Sequence, residues 1–352
     1  MKEKKLGISA YSLFFEELAD VLNELGMEQW RTEQVWKWLY SLRAGTWDEM
    51  TNLPKTLRED LGNKIGSLEQ TAGLISKVQE DGGTEKLLLR MHDGELVETV
   101  VIPSRKRRTV CVSSQVGCAF GCVFCASGMD GVIRNLESGE IVAQVMKASR
   151  SIGAFPDNIV FMGMGEPFAN YDNVLRAARL LNDDNGLNIG ARKITFSTCG
   201  VVPGIKKLMT EGVQFELSVS LHAAEQSLRE KIMPVAGRWN LGELMEACRE
   251  YTSKTNRIIT FEYTLIEGFN DGVGHARMLV KLLEGLKCRV NLIPLNPVEE
   301  FEGRTPSMQV CESFLRIISR SGINATLRRS KGLQVDASCG QLRKRQKHHF
   351  EF

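Results

Sequence analysis

Gly117-Cys-Ala-Phe-Gly-Cys-Val-Phe-Cys-Ala126 spaces Cys118, Cys122 and Cys125 as Cys-x3-Cys-x2-Cys, with no fourth cysteine nearby. Structural zinc sites and electron-transfer iron–sulfur sites use four protein ligands. Three thiolates on a four-iron cluster leave one iron open, and an open metal position binds a ligand that reacts. The stretch therefore predicts a reactive 4Fe-4S cluster. A zinc knuckle with a distant fourth ligand, or three buried thiols, is the alternative interpretation.

Candidate strands alternate with amphipathic segments from residue 104 onward. One such segment, 138–152, carries an apolar stripe and has Ser138 as its predicted N-cap. Repeated strand–helix units indicate a parallel sheet, either an open doubly wound sheet or a barrel. The predicted strands are 108–114, 158–162, 192–197, 214–220, 257–266, 287–293 and 323–329.

Residues suited to chemistry follow the ends of several of these strands. The cysteines follow the first strand, Gly163-Met-Gly-Glu-Pro167 follows the second, Ser197 ends the third, and Ser220-Leu221-His222 ends the fourth. Asn296 follows the sixth. Barrels draw their active sites from the carboxyl ends of several strands, whereas an open sheet concentrates its site near one switch point. The predicted fold class is therefore α/β, with a partial (β/α)6 barrel.

The segments before and after the barrel have a different character. Residues 1–70 contain apolar residues at helical spacing, and Pro54 is placed to begin a helix over 55–65. Residues 71–103 are rich in strand formers and are punctuated by Asp-Gly turns. The predicted organisation is an N-terminal helical accessory domain (1–70), a β-rich extension (71–103), a core barrel (104–342) and a basic C-terminal tail (343–352).

Composition limits the classes of protein that fit this chain. A hydrophobic fraction of 43% with 25% charged residues is that of a globular protein, and no apolar run approaches membrane-spanning length. Three of the nine cysteines are clustered and the others are scattered, which does not resemble a secreted disulfide framework. The expected location is the reducing cytoplasm. The net charge is only +2, but basic runs at 105–108, 328–331 and 343–349 are candidate phosphate contacts.

The glycine-rich turn Gly163-Met-Gly-Glu-Pro167 is not a dinucleotide-binding fingerprint, because it lacks the third glycine. Its glycines permit a close approach of the backbone to a ligand, and Glu166 offers a carboxylate to a ligand amine. A ligand that chelates the open iron through an amino-acid head would bring such an amine to this turn.

Several motifs in order along the chain resemble the RlmN/Cfr family of radical S-adenosylmethionine RNA methyltransferases, with RlmN the more similar branch. They are Thr46-Trp-Asp-Glu-Met-Thr-Asn-Leu-Pro54, Val97-Glu-Thr-Val100, Val110-Cys-Val-Ser-Ser-Gln-Val-Gly-Cys118, Met162-Gly-Met-Gly-Glu-Pro167, Ser218-Val-Ser-Leu-His222, Asn291-Leu-Ile-Pro-Leu-Asn-Pro297 and Ala337-Ser-Cys-Gly-Gln-Leu342. The resemblance covers nearly the whole chain. It implies that Cys118, Cys122 and Cys125 hold the cluster, and that the cofactor S-adenosylmethionine is lined by Gly165, Glu166, Ser197, Ser220, Leu221, His222 and Asn296.

The resemblance also implies a chemistry that uses two further cysteines. Cys339 matches the cysteine that carries the methyl group, and Cys111 matches its resolving partner in a transient disulfide. Glu98 matches the proton acceptor. Two molecules of S-adenosylmethionine are consumed per turnover, one to methylate Cys339 and one to generate the radical that activates the methyl group. Without the resemblance, a lone cysteine is usually a small buried hydrophobic residue, and a histidine at a strand end is often a structural group.

The implied partners are 23S rRNA, tRNA with its adenosine 3′ of the anticodon, and an external one-electron donor such as flavodoxin. The expected product is adenosine methylated at carbon-2. A Cfr-like carbon-8 enzyme has the same cysteines and stays open as an alternative. A non-catalytic iron–sulfur protein that binds RNA is a second alternative, although neither Cys111 nor Cys339 is needed to hold a cluster.

Overall fold

A ten-stranded sheet organises the chain in this computed structural model, which describes residues 9–104, 107–328 and 332–342. The first four strands pair antiparallel: β1 Ala72–Gln79, β2 Glu85–Met91, β3 Leu96–Ser104 and β4 Arg107–Cys111. A separate hairpin follows, with strands β5 Gln115–Gly117 and β6 Val132–Asn135. Six strands then continue β4 in parallel: β7 Asn158–Phe161, β8 Ile194–Thr198, β9 Glu216–Ser220, β10 Ile259–Leu265, β11 Cys288–Pro294 and β12 Asn324–Leu327.

The strands predicted from residue 104 onward are confirmed, and their ends differ from the predictions by at most three residues. The predicted β-rich stretch forms β1–β3, and β3 pairs directly with β4. These strands and the parallel strands therefore belong to one sheet. In this register Val100 lies opposite Cys111, so Glu98, two residues before Val100, faces the same side of the sheet as Cys111.

Helices cover the outer face of the parallel strands, as expected for a barrel of βα units. The four helices before β1 are α1 Phe15–Glu24, α2 Trp30–Trp36, α3 Lys55–Ile65 and α4 Leu68–Thr71, of which α3 has the predicted bounds. Those that follow are α5 Ser138–Ser151, α6 Tyr171–Asn182, α7 Val202–Leu208, α8 Gln226–Ile232, α9 Leu241–Thr255, α10 Val273–Leu283 and α11 Met308–Arg320. Among the described helices, none combines the length and the hydropathy needed to cross a bilayer.

Strand β10 shows that the sheet has one apolar face and one polar face. All of its residues are buried, and apolar residues alternate with Thr260, Glu262 and Thr264. Tyr263 packs against Phe314 of α11 at a ring separation of 5.3 Å, so the apolar side faces the helices. The alternate residues line the cavities inside the barrel. The sheet is thus polar on its concave face, where a substrate must bind.

The prediction that Ser138 caps α5 is wrong. Ser138 is the first residue of the helix, and the N–H of Glu137 donates to Glu140 Oε2 at 2.9 Å. Glu140 also accepts two hydrogen bonds from the guanidinium of Arg134, at 2.7 and 2.8 Å. The Glu140 side chain therefore closes the first turn of α5, and through Arg134 it also connects β6 to α5.

The parallel strands form a partial barrel, with β1 and β12 as the edges of the sheet. Residues 332–342 cross from the β12 edge towards the β1–β2 hairpin. The N–H of Gly332 donates to the Glu80 carboxylate at 2.6 Å, and Lys86 Nζ donates to the Asp336 carbonyl at 3.3 Å. This segment carries Cys339 across the open mouth of the barrel. Residues 105–106, 329–331 and 343–352, which hold most of the basic runs and the predicted basic tail, lie outside the described residues.

Candidate active site

The three clustered cysteines lie on the loop between β5 and β6, and all three line one cavity, called the cluster cavity below. The N–H of Cys118 donates to the carbonyl of Gly131 at 2.9 Å, which closes the base of the loop. Gly117 has a φ of +78°, and a Cβ there would lie 2.0 Å from the same carbonyl oxygen. Only glycine permits this approach of the two ends of the loop. The closure keeps the three thiols together.

The sulfur atoms of this loop receive hydrogen bonds that suit thiolates. The backbone of Phe120 interacts with the Cys118 sulfur, and the backbone and hydroxyl of Ser127 interact with the Cys125 sulfur. Burial nevertheless raises the pKa of Cys118 to about 12 and raises the pKa of Cys122 and Cys125. Without a metal these thiols are protonated at neutral pH, so loading a metal displaces protons from them.

The arrangement of the thiols fits a cluster better than a single ion. Across the described ranges, no three His, Cys, Asp or Glu side chains are placed to hold one metal ion. In a four-iron cluster each cysteine binds a different iron, so its ligands surround a volume and do not converge on a point. A loop whose three thiols line one cavity and whose other residues include Ala119 and Gly121 therefore fits a 4Fe-4S cluster.

The strand ends opposite the cysteines form the rest of the cluster cavity. Of the seven residues expected to line the cofactor, Leu221 alone is absent from the described wall of this cavity. It is fully buried, and its N–H donates to the carbonyl of Glu262 at 3.0 Å. Its part in the site is therefore to fix the turn between its two neighbours. The other residues expected to line the cofactor are brought together on the cavity wall: Gly165, Glu166, Ser197, Ser220, His222 and Asn296.

Glu166 joins two of the loops that form this cavity. Its Oε1 accepts the N–H of Phe168 at 3.0 Å, and its Oε2 accepts the N–H of Cys199 at 2.7 Å. Burial raises the pKa of Glu166, whereas these backbone hydrogen bonds oppose the rise. The carboxylate that was expected beside a ligand amine thus also fixes the backbone after β7 to the backbone after β8.

His222 occupies a strained position at the end of β9. Its φ is +57°, which is rare for a residue with a side chain. The Nδ1 atom accepts the N–H of Thr264 at 2.9 Å, so the neutral ring carries its proton on Nε2. Burial, with the charge of Arg229, lowers the pKa of His222 to about 3. The ring is therefore a neutral donor, and it packs edge-on against Phe124 of the cysteine loop at 4.8 Å.

A second cavity, called the inner cavity below, extends into the barrel beside the first. It is lined by Cys111 at the end of β4 and by Ala337, Ser338 and Cys339 of the crossing segment. The two cavities share six lining residues, which define the junction between them: Met162, Glu262, Ile293, Asn296, Arg328 and Cys339.

Cys339 lies at this junction and is an exposed residue, although the protein around its sulfur desolvates the thiol and raises its pKa. Asn296 Nδ2 donates to its carbonyl at 2.9 Å, and the next residue, Gly340, accepts the N–H of Ala126 at 2.7 Å. The crossing segment is therefore attached both to the strand ends and to the cysteine loop. Cys111 is buried, and burial raises the pKa of its thiol to about 12. Cys111 and Cys339 are both free thiols in this structure.

Comparison with known proteins identifies the family. Residues 112–279 match the radical SAM superfamily, and residues 11–65 match the ribosomal RNA large subunit methyltransferase N-terminal domain. The probable dual-specificity RNA methyltransferase RlmN of Staphylococcus carnosus is 46% identical over 96% of this chain and 93% of its own length. The chain belongs to the RlmN family. A second RlmN relative, from Staphylococcus aureus, is 44% identical over the same shares of the two chains.

A solved structure supports membership in the RlmN family. A radical SAM methyltransferase from Sphaerobacter thermophilus superposes with a TM-score of 0.93 at 46% identity, over 96% of this chain and all of that one. The protein is therefore a radical SAM RNA methyltransferase with the radical SAM α/β fold. The family implies a 4Fe-4S cluster and S-adenosylmethionine, and the cysteine loop and cavity described above fit that pair of cofactors.

Glu98, the proton acceptor that the RlmN/Cfr resemblance implies, lies near the site but outside both cavities. It is buried, and its Oε1 lies 3.1 Å from Lys86 Nζ. Ser113, just after β4, donates its hydroxyl proton to the Glu98 carbonyl at 2.7 Å. Among the described residues that line the cluster and inner cavities, Glu98 does not occur. Its carboxylate is thus on the correct face of the sheet but is held in an ion pair.

Sequence motifs missed two charged residues that the RlmN fold places at the site, Glu262 and Arg229, and they marked a third, Arg328, only as part of a basic run. Glu262 is buried at the junction, where Ser218 Oγ and Asn291 Nδ2 each donate to its Oε1 at 3.0 Å. Arg328 lines both cavities, and Arg229 is buried behind the turn that follows β9. The signal for Glu262 is a carboxylate within the alternating pattern of an otherwise apolar strand. No local pattern marks Arg229, whereas Arg328 begins the basic run 328–331, which predicted a phosphate contact.

The remaining cysteines have the positions that their sequence contexts indicate. Cys248 and Cys311 are buried in α9 and α11, and Cys288 begins β11. Cys199 lines the cluster cavity beside Glu166, and burial raises the pKa of its thiol. Its backbone N–H is the group that Glu166 binds.

Replacing Gly165 with alanine should weaken the binding of S-adenosylmethionine and destabilise the fold by about 2–4 kcal/mol. Gly165 has a φ of +95°, and an added Cβ would lie 2.5 Å from Gln115 Cβ and 2.8 Å from Gln115 N. Because Gln115 Oε1 accepts the N–H of Glu166 at 2.8 Å, the clash moves the cofactor turn itself. Thermal unfolding and equilibrium dialysis of S-adenosylmethionine with the loaded enzyme measure the two effects.

Gly190→Ala is the matched control for Gly165→Ala. Gly190 has a φ of −52°, and an added Cβ meets no atom within 4 Å. The Gly190→Ala variant should have a free energy of unfolding within about 0.5 kcal/mol of the wild type and should bind S-adenosylmethionine as the wild type does. Wild-type binding by Gly165→Ala would show that the turn does not contact the cofactor.

Proposed function

We propose that this RlmN-family enzyme methylates carbon-2 of a specific adenosine in 23S rRNA and of the adenosine 3′ of the anticodon in tRNA. The observation that supports this reaction is the position of Cys339 at the junction of the two cavities. One cavity contains the three cluster cysteines, and the other contains Cys111. A residue at this junction can receive a group on one side and present it on the other.

Carbon-2 of adenine is electron-poor and has no lone pair, so simple displacement from a methyl donor does not methylate it. When bound, the cofactors supply a methyl group from one S-adenosylmethionine and a 5′-deoxyadenosyl radical, made with an electron from the cluster, from a second. Cys339 accepts the methyl group on its sulfur and holds it at the mouth of the barrel. After a hydrogen atom is removed from the methyl group, the carbon on the Cys339 sulfur adds to the adenine ring.

Cys111 then releases the product. First the adduct loses the ring proton and one electron, which can return to the cluster when it is bound. The Cys111 sulfur, after losing its own proton, then attacks the Cys339 sulfur. The bond between the Cys339 sulfur and the transferred carbon breaks, a Cys111–Cys339 disulfide forms, and the released carbon takes up a proton to become the methyl group. Both residues line the inner cavity, and burial, together with the charge of the nearby Cys339 thiolate, raises the pKa of Cys111. Cellular thiols reduce the disulfide before the next turnover, which suits a reducing cytoplasm.

Glu98 is the proposed acceptor of the ring proton. It faces the same side of the sheet as Cys111, and its Oε1 forms an ion pair with Lys86 Nζ at 3.1 Å. Lys86 also donates to the carbonyl of Asp336, three residues before Cys339. Movement of the crossing segment when RNA binds would therefore be transmitted to the Glu98–Lys86 pair.

The RNA substrate must present its adenine outside the base stack to reach this junction. We assign RNA contact to the N-terminal region, residues 1–70, because residues 11–65 match the rRNA methyltransferase N-terminal domain. The proposed domain limits are 1–70, 71–103, 104–342 and 343–352, with the basic tail as a further phosphate contact. The proposed electron donor is an external one-electron carrier such as flavodoxin, and the proposed location is the cytoplasm.

Nucleoside analysis of RNA tests the proposed reaction directly. Expression of this chain in a strain that lacks its own enzyme should restore 2-methyladenosine in digests of both 23S rRNA and tRNA. Digests from the same strain with an empty vector provide the control. If the digests contain 8-methyladenosine and no 2-methyladenosine, the enzyme is a carbon-8 methyltransferase. Product in only one RNA class would contradict the proposed dual substrate.

A further inference from the structure

Arg229 is the largest side chain that is completely buried in the described chain. Its Nε donates to the carbonyl of Leu221 at 3.2 Å, and its Nη2 donates to the carbonyls of Cys199 and Ser220 at 2.6 and 3.3 Å. Cys199 and Ser220 line the cluster cavity on the turns after β8 and β9. One guanidinium therefore joins two strand-end turns from behind, without lining the cavity itself.

The charge of this guanidinium has no carboxylate counterion among the residues that the structure describes. Among the described residues, no carboxylate lies within 4.0 Å of Arg229, and its buried Nη1 has no hydrogen-bond partner. Removal of a cation from water costs several kcal/mol, and a buried charge is normally paired with one of opposite sign. The three carbonyl groups offset only part of this cost. Burial accordingly lowers the pKa of Arg229.

The nearby groups that can become negative are sulfur atoms. Val123, the residue after Cys122, donates its N–H to the carbonyl of Ile232 at 3.1 Å, so the cysteine loop is attached to the end of the helix that carries Arg229. The charges of Cys199 and Cys122 favour the charged form of Arg229. Cys122 is one of the three expected cluster ligands. A cluster held by three thiolates carries a net negative charge, and reduction by one electron makes it more negative. The missing counterion is therefore present when the cluster is bound.

We propose that Arg229 is a positioning residue whose buried positive charge compensates the cluster at Cys122 and raises its reduction potential. A cation at short range in a medium of low dielectric constant stabilises the reduced cluster more than the oxidised one. The electron donor then needs a less negative potential to reduce it. The inference rests on the 4Fe-4S cluster of the proposed function.

A redox titration of the reconstituted enzyme, followed by electron paramagnetic resonance, tests this role. At a fixed solution potential, Arg229→Gln should lower the ratio of reduced to oxidised cluster about tenfold or more, which for one electron is about 59 mV. Arg229→Lys keeps the charge and should change the ratio less than about threefold. Lys231→Gln removes an exposed positive charge from the same helix and should leave the ratio unchanged, because water screens that charge.

The same experiment separates a charge effect from a purely structural one. If Arg229 only joins the two turns, Arg229→Lys should shift the potential as far as Arg229→Gln, and that result would overturn the inference. A wild-type potential in Arg229→Gln would also overturn it. If Arg229→Gln binds no iron, the test rests on Arg229→Lys. A wild-type reduction potential in Arg229→Lys supports the charge effect, and a tenfold change in the ratio of reduced to oxidised cluster refutes it. Failure of the wild-type chain to bind about four irons would instead refute the cluster itself.

Discussion

Replacing Cys339 with alanine should abolish methyl transfer to RNA, with the rate falling about 10⁴-fold or more. Cys339 is proposed to carry the transferred carbon, and the described chain has no other cysteine at the junction of the two cavities. Alanine removes the sulfur without adding bulk. The carbonyl of residue 339 still accepts from Asn296, so the crossing segment should keep its attachment. Transfer of radiolabelled methyl groups to tRNA transcripts measures the loss.

A second measurement shows which step is lost in Cys339→Ala. The variant should still bind about four irons and still cleave S-adenosylmethionine when reduced, because the cysteine loop and the cofactor turns are unaltered. Mass spectrometry should find a methyl group on residue 339 of the wild type only. Cys288→Ala, a half-buried cysteine at the start of β11, is the control and should retain wild-type transfer. Methylated RNA from Cys339→Ala would remove the covalent carrier from the mechanism.

Motifs that are contiguous in the sequence predicted much of this site. The cysteine loop, the Gly165–Glu166 turn and Ser220–His222 are local features, and each follows a strand. Parallel strands bring their carboxyl ends to one edge, so local prediction of strands was sufficient to assemble these residues. The partial barrel followed from the same reasoning, because the chemistry was spread over several strand ends and was not concentrated at one.

The residues that sequence patterns missed act between distant segments. Arg229 binds the carbonyls of two turns, and Glu262 receives its hydrogen bonds from strands on either side. The hydrogen-bond partners of Arg229 and Glu262 cannot be predicted from residue spacing along the chain. The prediction of Ser138 as the N-cap failed locally: Glu137 is the N-cap of α5, and Glu140, three residues later, accepts the N–H of Glu137 in a capping box.

The path of the C-terminal segment was also hidden from sequence patterns. Cys111 and Cys339 are separated by more than two hundred residues, and only the return of residues 332–342 across the mouth brings both to one cavity. Contacts such as Gly332 to Glu80 and Lys86 to Asp336 determine that path. Their geometry depends on the pairing of β1 with β2 and of β2 with β3.

Replacing Cys111 with alanine should trap protein covalently linked to RNA. Without the resolving sulfur, the bond between the Cys339 sulfur and the transferred carbon cannot be broken by disulfide formation. Multiple turnover should fall about 10³-fold or more, whereas one equivalent of adduct should accumulate. Alanine suits this buried position at the end of β4, so the sheet should be preserved. Denaturing gels with labelled RNA, followed by nuclease digestion and mass spectrometry, would detect the adduct on residue 339.

The double variant Cys111→Ala/Cys339→Ala tests whether the trapped RNA is bound to Cys339. If the trapped bond is to Cys339, the double variant should form no adduct, although it retains the same cluster loop. Cys311→Ala, which removes a buried cysteine of α11, should turn over normally and trap nothing. Free turnover by Cys111→Ala would mean that another group releases the RNA. An adduct that persists in the double variant would place the covalent bond elsewhere, most directly at Cys199, the other non-cluster cysteine that lines the cluster cavity in the described chain.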